Sequence, residues 1–258
     1  NTEFIKERVG RQAYLEDYVS GKYYKDGNQL LGALIRNQNE ADTQRRIKQF
    51  KKFFHSKHVV DFGCGNGDFL RQIKPFSLSV KGIEINEELS KQVASDLAIT
   101  CATSLSKLDS TPDTVFAFHS INYLADPDRD FFYQLNPKTT FVIEEPCANV
   151  LLLKFKRFKD FSLHKNNVRI FSMKGIKQYL ERHSIVNGRV QKLQRYGLSN
   201  HLRWFLTSQP GGFQSKTFTQ LTAPFDFIYR HLLCLLSLND TLIITGTKRC
   251  STQYKSQI

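Results

Sequence analysis

The sequence has no Cys-x-x-C pair, no apolar run long enough to cross a membrane, and too few acidic residues to balance its basic ones. Its five cysteines, Cys64, Cys101, Cys147, Cys234 and Cys250, are odd in number and widely spaced. That pattern argues against a zinc site or a disulfide scaffold and favours a reducing compartment, the cytoplasm. The longest apolar runs, around Val150–Leu153 and Leu232–Leu238, fall far short of the roughly 20 residues of a membrane-spanning helix. The first residues, NTEFIKERVGRQ, lack the apolar core of a secretory signal. There is no internal repeat and no low-complexity tract.

What is present is an ordinary globular composition. The 258 residues are 40% apolar and 24% charged, enough for one sizeable core with an appended subdomain. The net charge is 37 − 24 = +13, and it is unevenly distributed. Residues 1–55 carry 11 basic and 7 acidic side chains, residues 56–150 carry 8 and 13, and residues 151–258 carry 18 and 4. One acidic and one strongly basic segment suggest two jobs.

Residues 1–55 read as a helical, polar N-terminal cap. It has apolar stripes at Leu30, Leu31, Leu34 and Ile35 and at Ile47, Phe50, Phe53 and Phe54, with a loop or exposed helix between them. From residue 56, strands and helices alternate. Strands are expected at Val59–Phe62, Val80–Ile85, Ile99–Ala102, Thr114–Phe118 and Thr140–Glu144. Asn86 and Asp126 serve as helix caps, the latter followed by Pro127. Ser172 caps a helix in which Ile176, Tyr179, Leu180 and His183 share a face. A strand over Arg189–Tyr196, an amphipathic helix over Phe225–Leu236 and a last strand over Leu242–Lys248 complete the chain. The expected fold is α/β, a mostly parallel Rossmann-like sheet with helices on both faces. Residues 147–240, longer than the usual connection, form substrate-binding elements within a domain over 56–258.

The chemistry centres on Asp61-Phe62-Gly63-Cys64-Gly65-Asn66-Gly67. Glycines between a first strand and first helix let backbone approach a ligand at the carboxyl ends of the strands. The dinucleotide fingerprint needs G-x-G-x-x-G, but position 68 is Asp, whose charge would repel a pyrophosphate. The turn therefore favours a ligand without phosphates. Glu84, at the end of the second strand, is placed to accept from both ribose hydroxyls, each bond contributing about 1.5–3 kcal/mol. Asp61 sits where an amino group would be held.

These residues resemble a family. VVDFGCGNGDFL followed by VKGIEIN looks like the first two motifs of class I S-adenosylmethionine-dependent methyltransferases. Ser120–Pro127 (SINYLADP) and Phe141–Pro146 (FVIEEP) are similar to stretches of the branch that methylates small molecules and sugars. Leu163-His164, Phe171-Ser172 and Tyr179-Leu180 echo a later segment of that branch. Tyr196–Trp204 (YGLSNHLRW), with Pro210-Gly211-Gly212, resembles a motif of members from surface-polysaccharide pathways. The likeness covers roughly residues 56–250.

The resemblance implies that Gly63, Cys64, Gly65 and Gly67 pass under the methionine moiety, that Asp61 binds its amine and that Glu84 and Ile85 meet the ribose. Where the family places an acid near the adenine the chain reads Cys101-Ala102-Thr103-Ser104, so Thr103 and Ser104 stand in for it. The family's Glu-His pair is replaced by Asn122-Tyr123. His119, next to the expected methyl group, is the first candidate for a base and also a cofactor contact. His164 is a second catalytic candidate, and Tyr123, Asn200 and His201 are assigned to the acceptor.

The expected function is methyl transfer to a small anionic acceptor, such as a nucleotide sugar, glycan or lipid precursor. Two alternatives stand beside it: an RNA methyltransferase using the basic C-terminal half, and a non-catalytic relative that binds the cofactor only. Lys154, Lys156, Arg157, Lys159 and Lys165, interleaved with Phe155, Phe158 and Phe161, form either a nucleic-acid or peripheral-membrane surface or a solvated helix face. Cys147, after Pro146, reads as a small buried residue, and the Asn-Pro-Pro-Tyr motif of amino-methylating nucleic-acid enzymes is absent.

Overall fold

A computed structural model describes residues 3–4, 29–162, 169–209 and 216–249. Two compact units divide the chain. One comprises Asn1–Gln38, Glu144–Ile176 and Val190–Ile243; the other comprises Asn39–Ile143, Lys177–Arg189 and Ile244–Ile258.

The strands are β1 (Glu3–Phe4), β2 (His58–Phe62), β3 (Ser79–Ile83), β4 (Cys101–Ala102), β5 (Thr114–Phe118), β6 (Thr140–Pro146), β7 (Arg169–Ile170), β8 (Ile185–Leu193) and β9 (Thr241–Lys248). Seven of them form one sheet in the order β4-β3-β2-β5-β6-β9-β8. β2 lies parallel to both β3 and β5, and β3 is parallel to β4. β1 pairs antiparallel with β7. Runs such as Val59-Val60 and Val115-Phe116-Ala117 are buried on both faces, which is why they lack the alternation of a half-exposed strand. The mostly parallel sheet matches the expected class.

The helices are α1 (Gln29–Phe54), α2 (Asp68–Ile73), α3 (Glu87–Leu97), α4 (Pro127–Asp130), α5 (Lys156–Ser162), α6 (Met173–Arg182), α7 (Leu198–Thr207) and α8 (Lys216–Leu235). α1 is continuous, so the polar stretch between its two stripes is helix rather than loop. Its second stripe reaches the core: Phe50 and Phe54 are buried, Phe50 meets Phe116 at 6.3 Å, and Phe54 meets Phe69 at 6.3 Å.

The caps form as their side chains dictate. Asn86 accepts from the amides of Glu88 and Leu89 at 3.0 and 3.1 Å, Asp126 from Arg129 at 3.1 Å, and Ser172 from Gly175 at 3.0 Å. Several boundaries differ from the sequence reading: β4 starts at Cys101 rather than Ile99, and β6 runs on to Pro146. β3 stops at Ile83, leaving Glu84 just beyond it. β8 starts at Ile185, directly behind α6, and ends at Leu193. α8 starts at Lys216 and runs through Pro224, whereas a proline inside a helical pattern reads as its boundary.

Candidate functional site

β2 delivers Asp61 to the carboxyl edge of the sheet, and the glycine turn follows at once. Gly63, Gly65 and Gly67 all have φ in the left-handed region, at 77°, 52° and 72°. The Gly63 and Cys64 amides both donate to the Ile83 carbonyl, at 2.7 and 3.0 Å. At Gly63 a second constraint applies: a Cβ there would lie 2.6 Å from Ser120 Cβ. At Gly65 a Cβ would meet nothing within 4 Å. The turn is therefore packed at Gly63 and open at Gly65.

Glu84 closes the turn from the β3 side. Its Oε2 accepts the Gly65 amide at 3.0 Å, and its Oε1 accepts the Asn86 amide at 2.9 Å. Its own amide donates to Ala102 at 2.9 Å, which ties it to β4. Burial raises its pKa, while the amides of Asn86, Gly65 and Ile85 pull it back. With two lone pairs per oxygen, the carboxylate keeps accepting capacity beyond these amides.

Asp61 is buried, and its Oδ1 has no hydrogen-bond partner. Burial pushes the carboxyl up to about 7, opposed by Arg46 and reinforced by the charge of Glu84. Arg46 is a site residue that the sequence reading missed. It projects from α1, is itself buried, and its guanidinium sits 4.2 Å from the Phe118 ring centroid. Only its place on a helix just before β2 hinted at this role.

Gly82, opposite Asp61 on one side and Cys101 on the other, leaves room that two thiols occupy. A Cβ there would lie 2.8 Å from both Cys64 Sγ and Cys101 Sγ. The sulfurs are 3.9 Å apart. The contact lowers the Cys101 pKa to about 7 and raises that of Cys64. The wide spacing of the cysteines in sequence concealed this pair. Among the described residues no His, Cys, Asp and Glu cluster could hold a metal.

The remaining assigned residues fall in two groups. Ile85 is half-buried beside Glu84. Thr103 Oγ1 accepts from Lys107 at 2.8 Å, and the Ser104 hydroxyl meets that of Ser106 at 3.0 Å. His119, directly after β5, is half-buried and adopts φ 53°. That tight bend carries Ser120 against Gly63, and Tyr123 follows, its amide donating to the Ser120 carbonyl at 3.3 Å. All of these lie in the same unit as the glycine turn.

Asn200 and His201, both buried in α7, belong to the other unit. His201 Nδ1 meets Tyr229 OH at 2.6 Å, its Nε2 has no partner, and burial lowers its pKa to about 4. His164 lies outside the described residues, as do Leu163 and Pro210–Gly212.

A family model for a methyltransferase domain matches residues 35–185, more than half of the chain. Among solved structures, the fold is similar to a SAM-dependent methyltransferase from Archaeoglobus fulgidus, with a TM-score of 0.56 and 19% identity over 81% of this chain and 94% of that one. A possible histamine N-methyltransferase from Thermotoga maritima gives a TM-score of 0.56 and 13% identity over 92% and 99%. Magnesium protoporphyrin IX methyltransferase from Synechocystis, determined with SAH bound, gives 0.53 and 11% over 90% and 93%. At such identities the likeness is one of fold. No curated protein matches the sequence.

Proposed function

The chain belongs to the methyltransferase-domain family, and we propose that it transfers a methyl group from S-adenosylmethionine to a small anionic acceptor. The observations that carry the cofactor reading are the buried, unpartnered Oδ1 of Asp61 and the open space over Gly65 in the turn that follows. That oxygen suits the amino group of the methionine moiety. The remaining accepting capacity of Glu84 suits the ribose hydroxyls, with Ile85 alongside. Cys64, Gly65 and Gly67 form the floor, while Thr103 and Ser104 border the adenine end. A SAH-bound relative of the same fold supports this reading.

When bound, the sulfonium supplies a methyl group open to in-line displacement. The chain's residues contribute orientation above all, and positioning of this kind supplies up to about 7–11 kcal/mol of the barrier. His119 is assigned to take the acceptor's proton, a contribution of about 10²–10⁴-fold. From the family resemblance, His164 is a second catalytic candidate, and Tyr123, Asn200 and His201 are assigned to the acceptor. The anionic character of that acceptor rests on charge: residues 151–258 hold 18 basic and 4 acidic side chains. A nucleotide sugar, glycan or lipid precursor fits it.

Isothermal titration with S-adenosylhomocysteine tests the first part. Absence of heat with the wild type, or unchanged affinity in both Asp61→Asn and Glu84→Ala, would sink it. Transfer of labelled methyl across paired anionic and neutral acceptors tests the second, and preference for the neutral member would overturn it.

A further inference from the structure

The outward face of α8 is inverted for a helix in water. Leu221, Phe225, Ile228, Leu232 and Leu235 recur at helical spacing and are 48–79% exposed, and Leu236 continues the stripe. Phe227 is also exposed. The inward face carries the polar groups. Asp226 accepts from the Leu198 amide at 2.7 Å and from Arg230 Nε at 2.6 Å, and Tyr229 meets His201. Thr222 is buried on that side with Leu233. A solvated helix presents the reverse arrangement, and contiguous exposed apolar surface marks a place of contact.

The surface continues beyond α8. α7 packs along α8 and exposes Phe205 and Leu206. Phe205 meets the exposed Phe155 edge to face at 4.7 Å. Around Phe155 stand Lys154, Lys156, Arg157 and Lys159, all exposed. Apolar stripe and basic cluster therefore lie in a single unit, linked through α7.

Charge selects the occupant. A second copy would bring two segments together that each hold 18 basic and 4 acidic residues, a repulsive pairing. Leu221, Ile228, Leu232 and Leu235, four of the five side chains of the stripe, are aliphatic and offer RNA neither a stacking ring nor a hydrogen bond. We propose that the α7–α8 face docks on an anionic lipid bilayer, its apolar stripe entering the interfacial region and the cations around Phe155 meeting headgroups. Interfacial attachment requires both buried apolar area and attraction to anionic lipid, and this face combines the two. No described helix is long and apolar enough to cross a membrane, so the contact is with one leaflet. The inference is independent of the reaction the chain catalyses.

Co-sedimentation of the full chain with phosphatidylglycerol-containing vesicles and with phosphatidylcholine vesicles tests it. Binding is expected to the first, weakly or not at all to the second, and to fall steeply with salt. Ile228→Asp with Leu232→Asp should abolish binding with little change in melting temperature, since both side chains point outward. Lys156→Gln, Arg157→Gln and Lys159→Gln together should weaken it by about fivefold per removed charge. The salt titration of the wild type and this second variant keep the test decisive if the first variant misfolds. Absence of binding to anionic vesicles, or equal binding to both lipids, would overturn the proposal. So would a dimer in sedimentation velocity, or an RNA complex, that the same substitutions dissolve while vesicles are ignored.

Discussion

The Gly65 amide donates to Glu84 Oε2 at 3.0 Å, so the carboxylate we propose to hold a ribose also holds the backbone of the glycine turn. The two duties share one side chain. Glutamine at position 84 keeps one carbonyl oxygen but turns an NH2 toward one of the two amides, setting donor against donor. Glu84→Gln should therefore weaken S-adenosylhomocysteine binding by about 10–100-fold, as expected for loss of one or two charge-assisted bonds. Isothermal titration reads this directly, and an affinity within a factor of two would contradict it.

Asp61 makes stability and binding depend on pH. Burial lifts its carboxyl from 3.8 to about 7, so between those values the folded chain holds a proton that the unfolded chain has released. Its contribution to stability therefore falls as pH rises through that window. Asp61→Asn should lose this slope in urea unfolding and be the more stable form above pH ~7. Because an amine needs the ionised form, cofactor binding near neutral pH should release a proton in the wild type and not in the variant. Calorimetry in buffers of differing ionisation heat measures that release.

Gly63 and Gly65 separate folding from binding. Alanine at Gly63 faces Ser120 Cβ at 2.6 Å with φ at +77°, so Gly63→Ala should lower the melting temperature by more than the left-handed cost alone. Alanine at Gly65 meets open space and bears only that cost, about 1–2 kcal/mol. Gly65→Ala should fold, yet bind S-adenosylhomocysteine more than about tenfold more weakly, a loss of at least ~1.4 kcal/mol. Paired thermal melts and titrations decide whether the open space is the ligand's.

His201 should act against Asp61 on acidification. Burial lowers its pKa from 6.5 to about 4, with Arg230 acting in the same direction. The unfolded chain takes up a proton as pH falls below 6.5 while the folded chain does not, so this contribution is lost towards pH ~4. His201→Gln should flatten the acid limb of the stability profile. Urea midpoints for the wild type and both single variants would resolve the two opposed slopes.

Cys101 should be the reactive thiol of its pair. The contact with Cys64 lowers its pKa to about 7 and raises that of Cys64, and thiolate is the form that alkylates. At neutral pH iodoacetamide should label Cys101 before Cys64, and Cys64→Ala should slow the labelling of Cys101. Peptide mass spectrometry of timed samples checks both.

Local rules made much of this protein legible in its sequence. An Asp at the end of an apolar strand, three glycines and a Glu beyond the next strand mark a candidate ligand turn, because backbone freedom and strand-end position follow from residues close together. Asn86, Asp126 and Ser172 announced their helices for the same reason: a cap bonds amides two or three residues away. What the tertiary structure alone decided involves residues distant in sequence. It brought Arg46 to Asp61 and Cys64 to Cys101, the latter through the missing side chain of Gly82, and it set His201 against Tyr229. It also decided which way α8 turns. Helical periodicity shows that a helix has two unlike faces, but the Leu198 amide and His201, which meet Asp226 and Tyr229, come from α7. Those partners turn the polar face of α8 inward and leave its apolar stripe outside.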